Sequence, residues 1–211
     1  INGALKNDLS SVQSQKATKV LIGVDFTGIN TTTAEVLSKQ ATDAVAIAKA
    51  NGFNGVSIEF PQAASEFFSA TSFNTLLTEV AKAKGDLLLV YENPYEQAST
   101  LSVTPNWVVY RKKNNELLKS FTLQAAQWAN VRYLPSADLS EDSNDAGFTD
   151  SELFAPDGKD GRLPRTTEII KWKAANKGGV ALYHIEKDYY NQSGKVTYKN
   201  LRKIISEVQK Q

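Results

Sequence analysis

The chain has 211 residues, 41% hydrophobic and 22% charged, a length and balance that suit one large or two small globular domains and exclude a disordered or collagen-like chain. With 24 basic against 23 acidic side chains there is no basic surplus for a nucleic-acid or anionic-membrane surface, and no apolar run approaches the ~20 residues that cross a bilayer. The absence of cysteine excludes a disulfide framework, an iron–sulfur cluster, a thiolate zinc site and a Cys nucleophile.

Leu5, Leu9 and Val12 lie at helical spacing and predict an opening helix. Lys19 to Phe26 (KVLIGVDF) then reads as a strand apolar on both faces, as in a buried parallel sheet. Thr31 to Thr33 can cap a helix carrying Val36, Leu37, Ala41, Ala44, Val45 and Ala48, which Asn51 and Gly52 terminate. A second strand, Gly55 to Phe60, follows at once. A helix from about Ser72 to Lys84, with Leu76, Leu77 and Val80 on its buried face, stops at Gly85. Asp86 to Glu92 is the third strand and Trp107 to Arg111 the fourth. Helix Glu116 to Ala129 precedes a short fifth strand, Val131 to Leu134, and then a long polar loop from Pro135 to Pro164. Helix Thr166 to Asn176 ends before Gly178 and Gly179, Val180 to Ile185 is the sixth strand, and an amphipathic helix from about Tyr198 to Val208 closes the order.

Strand–helix alternation with glycine at helix ends implies βα units, a parallel sheet and right-handed crossovers. An open doubly wound sheet and a closed (β/α)₈ barrel both use this pattern. The phosphate loops GxGxxG and GxxxxGK[ST] that mark many open sheets do not occur. Acidic residues instead fall at strand C-termini, at Asp25, Glu59, Glu92, Asp138 and Glu186, where barrel enzymes place their sites. Six strands are two short of a barrel, so two are expected ahead of Ile1 or from elsewhere.

The segment Ala44 to Pro61, AVAIAKANGFNGVSIEFP, resembles the helix and strand that carry the DGxDxDxE signature of glycoside hydrolase family 18, the family of chitinases and endo-β-N-acetylglucosaminidases. The preceding SQKATKVLIGVD resembles the third strand of that family with its lead-in helix. The final GGVALYHIEKDYYNQSGKVTYKNLRKII resembles the eighth strand and last helix of its gut Bacteroidetes branch. The resemblance implies one (β/α)₈ TIM-type barrel domain over 1–211, with strands three to eight present and the N-terminal strands missing.

Laid on the signature, its three aspartates fall on Asn54, Ser57 and Glu59, and the terminal Glu, the proton donor of the family, falls on Pro61. Family members hydrolyse by substrate assistance: the Glu protonates the glycosidic oxygen, the acetamido oxygen of the substrate attacks C1, and the Asp two residues earlier holds the acetamido group. Strand alternation puts Ser57, Glu59 and Pro61 on one face, with Glu59 ~6.6 Å deeper than the acid position. Proline has no side-chain proton, so the aligned position cannot act as a general acid. The expected function is therefore recognition of GlcNAc-containing oligosaccharides at the C-terminal face of the barrel by a catalytically degenerate domain. One alternative is an active hydrolase using Glu59 with Glu92 or Glu186; another is an interaction domain with no sugar site. For Glu59 a buried carboxylate satisfied by Arg, Lys or Tyr is an equally good reading.

Sugar faces pack on aromatic rings. Tyr91, Tyr95, Tyr110, Tyr133, Tyr183, Tyr189 and Tyr190 lie near the expected strand ends, though a tyrosine there can equally well just pack. Tyr110 is the nearest match to the family's acetamido-contacting residue. With Asp25, Ser57, Glu59, Tyr91, Glu92, Tyr183 and Glu186 it makes up the expected substrate-binding set, Glu59 being catalytic only if the domain is active. Trp107, Trp128 and Trp172 read as packing residues. His184, the single histidine, reads as structural, since no GxSxG elbow accompanies it. One histidine without cysteine argues against a transition-metal site, and Asp138 to Asp160 lacks the spacing of a Ca²⁺ loop. Arg111 to Lys113 reads as a solvated strand end. No cofactor is expected.

The chain also lacks methionine and begins at Ile1 inside a helical pattern. It is read as a processed or truncated product, with room for a companion domain ahead of Ile1. The alternative is a sequence written without modified methionines, which would shorten some spacings by a residue. The family resemblance places the protein outside the cell, in the periplasm or on the outer membrane as a lipoprotein.

Overall fold

A computed structural model describes residues 3–15, 18–24, 32–59, 69–92, 103–110, 118–138, 165–183, 185, 190–192 and 195–210. The chain packs as two compact units, Ile1–Val108 and Val109–Gln211.

The first unit runs α1 (Gly3–Gln13), β1 (Leu21–Val24), α2 (Ala34–Ala50), β2 (Gly55–Glu59), α3 (Ala70–Lys84), β3 (Leu88–Glu92) and the start of β4 (Trp107–Tyr110). Its strand order is β1-β2-β3-β4, with β1–β2 and β2–β3 parallel. The side-chain oxygen of Thr33 accepts from Val36 N and opens α2, whose buried stripe is Leu37, Ala41, Ala44, Val45 and Ala48. At its end Gly52 N bonds Lys49 O and Phe53 N bonds Ala48 O, a paired closure that needs a left-handed residue; Gly52 supplies it with φ +76°. Capped by Ser69, α3 begins at Ala70, two residues before the expected start, and Phe73, Leu76, Leu77 and Val80 are its buried face.

Strand alternation divides this unit cleanly. Val56, Ile58, Leu89 and Tyr91 are buried toward the helices, while Ser57, Glu59, Leu88, Val90 and Glu92 occupy the opposite face and are only half-buried. Gly55 shares the second face and faces Leu88, whose carbonyl oxygen would collide with any added Cβ. The strands are therefore seated so closely that only glycine fits at that entry. β1 departs from expectation: its four residues are not buried on both faces, and Gly23 is exposed.

Two asparagines fix where the strands begin. Asn54 N donates to Val20 O at 2.8 Å, while Asn54 Oδ1 accepts from Val20 N and from Gln13 Nε2, both at 2.9 Å. Asn106 repeats the device, its N donating to Leu89 O and its Oδ1 accepting from Leu89 N, each at 2.8 Å. Each bracket satisfies both backbone polar groups of one residue in the neighbouring segment, which water would otherwise have to do.

The second unit contains the end of β4, α4 (Leu118–Gln127), β5 (Arg132–Asp138), α5 (Arg165–Lys171), β6 (Ala181–Tyr183), the strands β7 (Tyr190–Gln192) and β8 (Lys195–Thr197), and α6 (Lys199–Gln209). Strand order is β4-β5-β6, with β5–β6 parallel. Ile170 of α5 and Ile204 of α6 form a core with Val180, Leu182 and Val208. Asn176 Nδ2 reaches Ala125 O, Trp128 O and Val131 O within 3.1 Å, tying the end of α4 to the entry of β5.

Three expectations change here. The fifth strand continues through Pro135 to Asp138, so the loop does not begin at Pro135; a strand proline forfeits one ladder donor and no more. The helix expected to reach Asn176 stops at Lys171, and Trp172 turns inward instead. An antiparallel β7–β8 pair was not anticipated. In neither unit does the strand order reverse, as it must in a doubly wound sheet. Parallel strands alternating with helices in sequence order are the winding of a barrel wall.

Candidate functional site

The described part of the candidate site lies at the C-terminal ends of β2 and β3 in the first unit. The register pairs Gly23 with Ser57, Ser57 with Val90 and Glu59 with Glu92. In-register neighbours of a parallel pair share a face and stand ~4.8 Å apart at the backbone. Glu59 and Glu92 are thus side by side, with Ser57 one step deeper. Ser57 Oγ donates a short hydrogen bond to Glu92 Oε1, which fixes that carboxylate against β2. Beside Ser57, a Cβ placed on Gly23 would meet nothing within 4 Å, so the face is open there.

This arrangement offers a hydroxyl, two carboxylates and an open floor. Among the described residues no group of three His, Cys, Asp or Glu side chains could hold a metal ion. No helix of the described residues is long and apolar enough to cross a membrane.

Tyr91 does not join this face. It neighbours Glu92 in a strand, so alternation sends it to the helix side, where its ring is 1% exposed and stacks on Phe73 with centroids 5.0 Å apart. Its expected place in a sugar cleft is corrected to the core of the unit.

In the second unit, Ala137 and Leu182 are register partners, and Leu182 packs against the α5–α6 core. Tyr183, the next residue along β6, therefore lies on the opposite face and is half-buried. Tyr133 faces the helices; its ring lies 5.8 Å from that of Trp172, whose Nε1 donates to Thr122 Oγ1 at 3.1 Å. Burial, and secondarily the nearby Tyr110, hold the Tyr133 hydroxyl well above the ordinary tyrosine range. That hydroxyl is buried without a hydrogen-bond partner. Tyr110 thus neighbours a core tyrosine, and its carbonyl accepts from Ser136 Oγ at 2.5 Å. Trp128 and Trp172 are buried as packing residues, while Trp107 is half-buried.

Asp25, Pro61, Tyr95, Arg111, His184, Glu186, Tyr189 and the acidic segment after Asp138 lie outside the described residues, as do the side chains of Asp138 and Tyr190. Several residues that organise the scaffold were not singled out beforehand. Gln13, Asn106, Asn176 and Lys177 are polar residues in loops or helix ends, where sequence gives no partner. Lys177 Nζ donates to Ile170 O and Trp172 O at 2.7 and 2.8 Å, closing the end of α5, and burial lowers its pKa.

No family profile matches the sequence, and no curated protein matches it. Solved structures do. A family 18 chitinase from Pseudoalteromonas aurantia superposes with a TM-score of 0.65 at 14% identity, covering 98% of this chain and 82% of the other. The endo-β-N-acetylglucosaminidase of Cordyceps militaris gives 0.60 at 16% identity, covering 91% and 70%. The family 18 chitinase ChiB of Flavobacterium johnsoniae gives 0.58 at 12% identity, covering 100% and 81%. At such identities the likeness speaks for architecture alone. The chain has the fold of the family 18 glycoside hydrolases.

Proposed function

We propose that this chain recognises GlcNAc-containing glycans at the C-terminal ends of its strands and does not hydrolyse them. The reading is carried by one observation: Ser57, Glu59 and Glu92 share the face that turns away from the helices, while the position aligned with the proton donor is proline. Such a surface keeps acceptors for sugar hydroxyls and lacks the acid that substrate-assisted cleavage needs. Tyr183, and Asp25, Tyr110 and Glu186 from the sequence, are further members of the proposed set. Six strands in unreversed order are proposed to be strands three to eight of one eight-stranded barrel domain. Export to the cell exterior, periplasm or outer membrane belongs to the same proposal and rests on the family resemblance.

A second reading is an active hydrolase that uses Glu59 and Glu92. Their pairing favours it, since two neighbouring carboxylates are the usual apparatus of glycoside cleavage. The geometry disfavours it: the usual pair flanks the scissile bond, whereas these project from adjacent strands on one face. A chitobiose glycoside and an N-glycan, each carrying a chromophore, separate the two. Binding by calorimetry with no release supports recognition. Release that Glu59→Gln abolishes supports hydrolysis.

A further inference from the structure

We infer that Asn51 is a site of spontaneous covalent modification, deamidation through a cyclic imide, and that the end of α2 sets its rate. Asparagine before glycine is prone to this reaction because no side chain hinders attack by the glycine nitrogen. The sequence has three such pairs, Asn2-Gly3, Asn51-Gly52 and Asn54-Gly55, of which Asn2 lies outside the described residues. The other two stand three residues apart and are held in different ways. Gly52 is exposed, a Cβ added there would meet nothing within 4 Å, and its N–H bonds Lys49 O at 3.2 Å in the last turn of α2. Asn51 Nδ2 donates to Ile47 O at 2.8 Å in the same turn. Gly55, by contrast, is buried in β2 against the Leu88 carbonyl. Asn54 is tied to Val20 and Gln13 through Oδ1, to Val20 O through its N–H, and to Leu88 N through its carbonyl.

In the reaction the Gly52 amide gives its proton to hydroxide and its nitrogen attacks Asn51 Cγ. The N–Cγ bond forms, Cγ–Nδ2 breaks, and the side-chain nitrogen leaves as ammonia after taking protons from water. Water then opens the ring at either carbonyl, so one opening leaves aspartate and the other isoaspartate, whose main chain runs through Cβ and Cγ. Ring closure needs Gly52 N turned toward the Cβ of Asn51. With ψ at 3° it lies beside the backbone nitrogen of Asn51 instead, so the reaction waits on rotation about the Cα–C bond. That rotation breaks the Gly52–Lys49 and Asn51–Ile47 bonds, a fraying of the last helical turn, which is among the least costly openings of a fold. At Asn54 the same rotation has to detach the start of β2 from β1 and β3, beside the buried Val56. The products act on the same turn. A carboxylate in place of the donor faces the Ile47 carbonyl at the negative end of the helix dipole. Isoaspartate also adds a main-chain carbon and displaces Gly52, whose carbonyl accepts from Gln13 Nε2.

The test is ageing of the whole chain in mildly alkaline buffer, folded and in guanidinium chloride, with peptide mapping by mass spectrometry at intervals. Conversion at Asn51 and at Asn54 is read in each sample, and isoaspartate is told from aspartate by enzymatic methylation. In the folded chain Asn51 is expected to convert about tenfold faster than Asn54 or more, the ratio that an opening cheaper by one decade gives. In guanidinium chloride the two are expected to convert at similar rates, since both are released. The isoaspartyl form, separated by ion exchange, is expected to denature at a lower midpoint than the parent. A ratio of Asn51 to Asn54 no larger in the folded chain than in denaturant overturns the inference. So does conversion confined to the denatured sample, which would mean that the end of α2 protects Asn51 as fully as the sheet protects Asn54.

Discussion

Ser57 Oγ donates to the Glu92 carboxylate, joining β2 to β3 on the face turned away from α2 and α3. The bond does for Glu92 what packing does for an apolar residue: it selects one orientation. Ser57→Ala should leave the fold intact, since Ser57 is only half-buried, but release the carboxylate. Affinity for chitooligosaccharide is expected to fall about fivefold to tenfold, equivalent to a bond of about 1 kcal/mol, as read by calorimetry.

Gly23 and Gly55 make a matched pair of substitutions. A Cβ at Gly23 enters open space and at Gly55 meets the Leu88 carbonyl. Gly23→Val should therefore fold with a denaturation midpoint close to that of the parent, yet weaken glycan binding by filling the floor beside Ser57. Gly55→Ala should cost about 1–3 kcal/mol or more, the usual penalty of overpacking, in chemical denaturation. Equal loss of stability in both variants would contradict the placement of the open side.

Much of the first unit could be read in the sequence. The stripe Leu37, Ala41, Ala44, Val45 and Ala48 has one helical period and one buried face, so propensity and packing agree. Tyr91 and Glu92 were both placed in the cleft, although adjacent strand residues cannot share a face; period-2 geometry already excluded one, and burial against Phe73 shows which. Pro135 read as a loop start because proline is a strong local punctuator, but β5 carries it. The β7–β8 pair had a legible signal in Ser193-Gly194 between Tyr190 and Val196, a pattern suited to a two-residue hairpin loop. The brackets of Asn54 and Asn106 had none, because their partners are backbone groups brought near only by the fold.

Asn54 stands where the family signature has aspartate, and its work here is structural. Asn54→Ala should strand the backbone N–H of Val20 and leave Gln13 Nε2 with only its bond to Gly52 O, costing about 1–3 kcal/mol. Asn54→Asp keeps the accepting oxygen and should cost less than the alanine change. Thermal or chemical denaturation of the two variants side by side checks the order.

Tyr133 provides a pH signature. Its hydroxyl is raised above the ordinary value of 10.0 by burial and by Tyr110, so the folded protein holds this proton at pH values where the unfolded chain has lost it. The stability it contributes is full below the unfolded value and is lost as pH climbs above it toward the folded one. Tyr133→Phe removes that alkaline component. At neutral pH the change should be neutral or stabilising by about 1 kcal/mol, because the buried hydroxyl has no hydrogen-bond partner. Denaturation midpoints across the alkaline range, parent against variant, read both effects.

The most direct test of glycan recognition without cleavage is an amide-resolved NMR titration of the chain with a chitooligosaccharide, followed in one tube over days. The account predicts saturable shifts at Ser57, Glu59 and Glu92, small changes at the buried Tyr91, and an oligosaccharide that stays intact. Shifts that bypass β2 and β3, or the appearance of shorter sugars, would contradict it.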